Sequence, residues 1–112
     1  MPKHNLETGR LGENIAKDYL EKKGYKIIEQ NYKTKYGETD IIANCGKDLV
    51  FVEVRTKVGE NFGTPEDSLT KKKLRKIWLN AKAGKATRID AICIVLNNHL
   101  TVERLNHYEN IV

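Results

Sequence analysis

This sequence has little of what builds the commoner cofactor sites. Its 112 residues hold two cysteines, Cys45 and Cys93, far apart and without a CxxC or His-rich neighbourhood, so neither a zinc ligand set nor a disulfide framework is indicated. The histidines His4, His99 and His107 show no HxH or HExxH spacing, and no GxxxxGK[ST] or GxGxxG stretch occurs, which leaves zincin, P-loop and dinucleotide chemistry without support. No apolar run approaches the roughly 18 residues of a membrane span, and Met1 to Glu7 lack the apolar core of a secretory signal. A soluble, cytoplasmic protein without membrane contact is expected. Internal repeats and low-complexity tracts are also lacking.

What is present suffices for a single domain over residues 1–112. Leu, Ile, Val and Phe number 29 of 112, above the roughly 20% below which charged chains tend to stay unfolded. Charge is unevenly spread. The net formal charge is +5, yet residues 70–86 alone carry Lys71, Lys72, Lys73, Arg75, Lys76, Lys82 and Lys85 with no acid, so the rest of the chain is slightly acidic. One concentrated basic segment is the footprint of a polyanion contact; a solvated helix face is the alternative that charge alone leaves open.

Periodicity predicts a helix from about Asn5 to Lys23, with Leu11, Ile15, Tyr19 and Leu20 on one stripe and Gly24 as its stop. Glu13 falls at the edge of that stripe. A β-like run over 25–29 is followed by a polar connection from Asn31 to Gly37 and by two stronger strands, 38–44 and 49–55, joined by Cys45-Gly46-Lys47-Asp48. A turn centred on Gly46 and Lys47 pairs Ile42 with Phe51, Asp40 with Glu53 and Glu38 with Arg55. In that register Ile41, Ala43, Val50, Val52 and Val54 share an apolar face. Thr64-Pro65-Glu66-Asp67 predicts the start of a second helix running to about Gly84, with Leu74, Ile77, Trp78 and Ala81 buried. Strands over 88–96 and about 99–105 complete an order α-β-β-β-α-β-β, an α/β fold with a mixed sheet flanked by helices.

Asp40 and Glu53, directly across a hairpin, would lie about 5 Å apart and repel by roughly 3 kcal/mol at an effective dielectric near 20. Such a pair shares a proton, leans on a cation or binds a metal. An oxygen-only site suits Mg2+ or Mn2+, and an ion of that kind beside a basic groove is equipment for phosphodiester hydrolysis. Arg55, on the same face as Glu53, offers the plain alternative of a structural ion cluster. Arg88 and Asp90 share a strand face and are expected to pair with each other.

Gly37-Glu38-Thr39-Asp40-Ile41-Ile42-Ala43, followed by Leu49 to Lys57 with its Glu53-Val54-Arg55 centre, resembles the signature of the YraN family, bacterial proteins related to archaeal Holliday junction resolvases. The resemblance spans nearly the whole chain and takes in Gly12-Glu13, Ala16, Tyr19-Leu20, Lys73, Ala81 and Arg88-Ile89-Asp90. It implies a restriction-endonuclease-like, PD-(D/E)xK sheet. It also implies a metal held by Asp40, Glu53 and the Val54 carbonyl, Glu13 as an added catalytic acid, Lys73 facing the nucleic acid or the site, and a homodimer by analogy alone. Arg55 occupies the position where the superfamily usually has lysine. A guanidinium is a poor general base but a good phosphate clamp, so cleavage, binding without cleavage, and a protein-interaction role for the basic helix all remain open at this point.

Overall fold

A computed structural model describes residues 3–112. The elements are α1 (Lys3–Lys22), β1 (Lys26–Thr34), β2 (Gly37–Cys45), β3 (Asp48–Val58), a single 3-10 turn (Pro65–Ser68), α2 (Lys71–Ala83), β4 (Arg88–Leu96) and β5 (Val102–Tyr108). The five strands form one mixed sheet in the order β1-β2-β3-β4-β5, antiparallel except for β3 and β4. Those two run parallel because α2 carries the chain back across the sheet between them.

The helices cover opposite faces. Ala16 and Leu20 of α1 pack on Ile41, Ala43, Val50, Val52, Val54, Ile92 and Ile94, the apolar face that strand alternation predicts. Ile77 and Ala81 of α2 pack on Ile42, Phe51 and Ile89. Gly24, at φ 96°, ends α1 in the left-handed conformation that a β-carbon disfavours, and Tyr25 N–H closes the end on Leu20 O at 2.9 Å.

Several boundaries and one burial differ from expectation, the last strand among them: β5 lies at Val102–Tyr108 and not at about 99–105. β1 runs on to Thr34, through the stretch expected as a connection, because its polar residues pair with β2 as an edge strand and need no burial on both sides. Thr64 does cap a helical turn, with a complete capping box to Asp67, but that turn ends at Ser68; Thr70 caps α2 separately, its hydroxyl accepting from Lys73 N–H. Trp78, expected in the buried stripe, is instead 38% exposed, and Asn80 occupies the buried position.

Candidate metal and nucleic-acid site

Hairpin pairing of β2 with β3 runs from Cys45↔Asp48 to Ile41↔Val52, in the predicted register, and stops there. The next pair would be Asp40 and Glu53. At that point the Asp40 carboxylate takes over from the ladder: Val54 N–H donates to Asp40 Oδ2 at 2.8 Å. The Val54 carbonyl lies on the same strand edge as that N–H. β3 keeps its pairing with β4 as far as Val58↔Leu96, so β2 and β3 part like a fork with Asp40 and Glu53 at its root.

Asp40 sits where β2 changes face. Thr39 accepts a hydrogen bond from Asn80 Nδ2 of α2 at 2.6 Å, whereas Ile41, two residues on, belongs to the α1 core. In a flat strand the two would share a face. Across the sheet Asn31, flanked by the pairs Gln30↔Ile41 and Tyr32↔Thr39, is left-handed at φ 53°. With its amide nitrogen turned to the acids, Asn31 donates to Glu13 Oε1 at 3.1 Å and to Glu38 Oε1 at 2.9 Å. Glu13 reaches this region because α1 crosses β3 closely at Gly12, where a β-carbon would overlap the Thr56 hydroxyl.

The result is a cleft of about 620 Å³ lined by Glu13, Asp40, Val54, Arg55, Thr56 and Lys57, among others. Glu53, only 4% exposed, lies off its wall. Burial and the Asp40 charge push the Glu53 carboxyl up to about 8, against the pull of Arg55 and Lys73. Asp40 is also raised by burial, despite the Val54 N–H and Arg55. Glu13 rises to about 7 through burial and the charges of Asp40 and Glu38, with Arg10 opposing. Of the outcomes expected for the hairpin acids, leaning on a cation is the one seen: Arg55 Nη2 donates to Glu53 Oε1 at 2.9 Å. That bond does not complete the cluster. Glu53 Oε2 and Arg55 Nε are buried with no hydrogen-bond partner.

These donors fit a small hard cation. They are oxygens only, two are carboxylates in mutual contact, one oxygen is unsatisfied, and Mg2+ needs just one or two carboxylates because it keeps several waters. Among the described residues no three His, Cys, Asp or Glu side chains converge closely enough to hold an ion by themselves.

The cations divide between two sides of α2. Lys73 is near enough to Glu53 to act on its charge, and Lys73 and Lys76 line a groove with Lys35, Tyr36 and Glu38. Lys71 and Arg75 border a second groove with Trp78, over whose ring Lys82 lies 4.6 Å from the centroid; Lys72 is exposed. Asn80 is the site-supporting residue that sequence reasoning missed: its side chain bonds both Thr39 and Thr34, and the only signal was a polar residue at a helical position that the 3.6-residue period makes buried.

Arg88 and Asp90 pair as expected, at 2.9 Å, and the fully buried Asp90 also meets His107 Nε2 at 2.8 Å. Cys45 and Cys93 are free thiols, and no helix is long and apolar enough to cross a membrane.

Residues 12–94 match the family described as "Uncharacterised protein family UPF0102". A UPF0102 protein of Pelotomaculum thermopropionicum is 39% identical over 110 residues, covering 91% of this chain and 92% of its own, and one of Caldanaerobacter subterraneus subsp. tengcongensis is 43% identical over 120 residues, covering 98% of each. Among solved structures, one described as "Crystal structure of SSO0001" is similar at a TM-score of 0.50 and 15% identity, over 91% of this chain; the chain spans half the length of that one. That likeness concerns the fold alone.

Proposed function

The chain belongs to the UPF0102 family, and we propose that it is a divalent-metal-dependent, resolvase-like nuclease that hydrolyses DNA phosphodiester bonds on a restriction-endonuclease-like sheet. One observation carries this reading: at the root of the β2–β3 fork, a buried carboxylate oxygen of Glu53 and a buried guanidinium N–H of Arg55 are both without partners. A structural ion cluster would close on itself. This one leaves an acceptor for a cation and a donor for an anion side by side, which a metal ion and a phosphate satisfy together.

Asp40, Glu53 and the Val54 carbonyl would hold Mg2+ or Mn2+, whose chemistry is to lower the pKa of bound water and offset charge on the phosphate. Arg55, kept on Glu53 by Nη2, turns Nε to a phosphate oxygen. Glu13, held through Oε1 by Asn31, has a carboxyl poised near neutrality and takes the proton of the attacking water on Oε2. Lys71, Lys72, Lys73, Arg75, Lys76 and Lys82 carry the phosphate backbone past the cleft. The free thiols Cys45 and Cys93 suit a reducing cytoplasm.

The expected result is nicking of duplex or four-way DNA with Mg2+ or Mn2+, reduced in Asp40→Asn and Glu53→Gln by more than about a hundredfold, beyond what loss of a supporting hydrogen bond costs a metal site, with unchanged melting. Absence of cleavage of duplex, single-stranded and four-way DNA with either metal would overturn it. Arg55 in the usual lysine position favours a second reading, a DNA-binding module that does not cleave. In that case binding persists with a log-log salt slope of roughly −0.9 per phosphate contact, which charge reversal at Lys72 and Lys76 flattens.

A further inference from the structure

Phe62 is 96% exposed, while the next most exposed large apolar side chains described, Val112 and Leu6, reach 55% and 53%. Neither core cluster includes it. A turn has no use for a phenyl ring, and a ring left in water forgoes the free energy that burial would return. The ring is nevertheless presented on a fixed support. Gly59 and Gly63 flank the turn at φ 72° and 115°, and Gly63 N–H bonds Glu60 O at 3.3 Å. Glu60 is held by Arg104 at 3.2 Å, the capping box of Thr64 and Asp67 follows directly, and Lys57 Nζ donates to the Phe62 carbonyl at 3.5 Å. Lys57 lines the acid cleft and its Nζ meets the Phe62 backbone, so the Phe62 turn borders that cleft beside a cation.

We infer that Phe62 is a stacking platform for an unpaired nucleobase next to the phosphate in the cleft, so that the ligand of this site is DNA interrupted by unstacked bases. In continuous duplex both faces of every base are covered; at a bulge, gap or branch one face is free for an aromatic ring. Lys57 and Arg55, which line the cleft, suit the phosphate attached to that base, and the occupant is therefore a nucleotide in preference to an apolar peptide or a second copy of the chain. This inference rests on the DNA reading above and adds to it the residue that selects the substrate.

Fluorescence anisotropy of labelled duplex, with and without an internal bulge, in Ca2+, tests it. Wild type is expected to prefer the bulged DNA by about tenfold, the factor that stacking one base on an aromatic ring typically carries. Phe62→Ala should lose that preference with unchanged affinity for continuous duplex and unchanged melting, Phe62→Trp should keep it, and 2-aminopurine in the bulge should be quenched by wild type alone of the first two. If Phe62→Ala affects both DNAs equally or neither, the inference fails while the DNA reading stands. Should wild type bind neither DNA, both fail. Self-association in sedimentation that Phe62→Ala abolishes would also overturn it, in favour of a second copy.

Discussion

Two carboxylates are buried in this sheet, and they are treated in opposite ways. Asp90, fully buried on β4, has all its demands met: Arg88 Nε and Asn110 N–H donate to Oδ1 at 2.9 and 3.0 Å, and Arg88 Nη2 and His107 Nε2 reach Oδ2 at 3.0 and 2.8 Å. Burial alone would raise its carboxyl, yet the hydrogen bonds from His107, Arg88 and Asn110 hold it below the usual range. Glu53, on the neighbouring strand, keeps one oxygen without a partner and is pushed up to about 8. A chain that can satisfy one buried acid so fully has the means to satisfy another. The difference separates a part of this fold whose polar demands are met from a part where they are not.

Stability separates the two most strongly. Asp90→Ala should cost about 3–5 kcal/mol, since it leaves Arg88 and His107 facing a buried site without their acid; Glu53→Gln, an isostere of the neutral carboxyl, should leave urea stability near neutral pH unchanged. Equal losses in both variants would erase the contrast. Next in size is Gly12→Ala. Overlap with Thr56 costs about 1–3 kcal/mol, which outweighs the ~1 kcal/mol that alanine gains in helix propensity, and the withdrawn Glu13 should titrate closer to an ordinary carboxyl by NMR.

The smallest effect is a slope. Asp90, depressed when folded, contributes stability that is complete above its unfolded pKa of about 3.9 and is lost as pH falls toward its folded value. Glu53 and Glu13 act the other way: their folded values of about 8 and about 7 mean that the native state binds more protons than the unfolded chain, so stability falls as pH rises from the ordinary carboxylate range through those values. Each proton is worth at most about 1.4 kcal/mol per pH unit. Chemical denaturation against pH should therefore show a maximum on the acid side of neutrality, and Glu53→Gln should shallow the neutral limb without touching the acidic one.

Much of this was legible in the sequence, because the governing signals are local. The hairpin register follows from a two-residue turn and one apolar face, and β4 from the apolar run Ala91 to Leu96 that follows Arg88-Ile89-Asp90. What escaped depends on residues far apart in the chain. Nothing near Gly12 announces Thr56, and nothing near Asp90 announces His107 on β5. The split between the 3-10 turn and α2 was hidden because Thr64 and Thr70 are both competent caps. The ladder's end at Ile41↔Val52 was hidden too, since alternation carries a strand forward with no sign of where its partner leaves.

The grip of Asn80 on Thr39 has a mechanical meaning. Thr39 is bonded directly to Asp40, so the lysine-bearing helix cannot slide or roll without tugging one prong of the fork. Whatever load settles on α2 is felt one peptide unit from the acid, as a lever feels weight at its short arm.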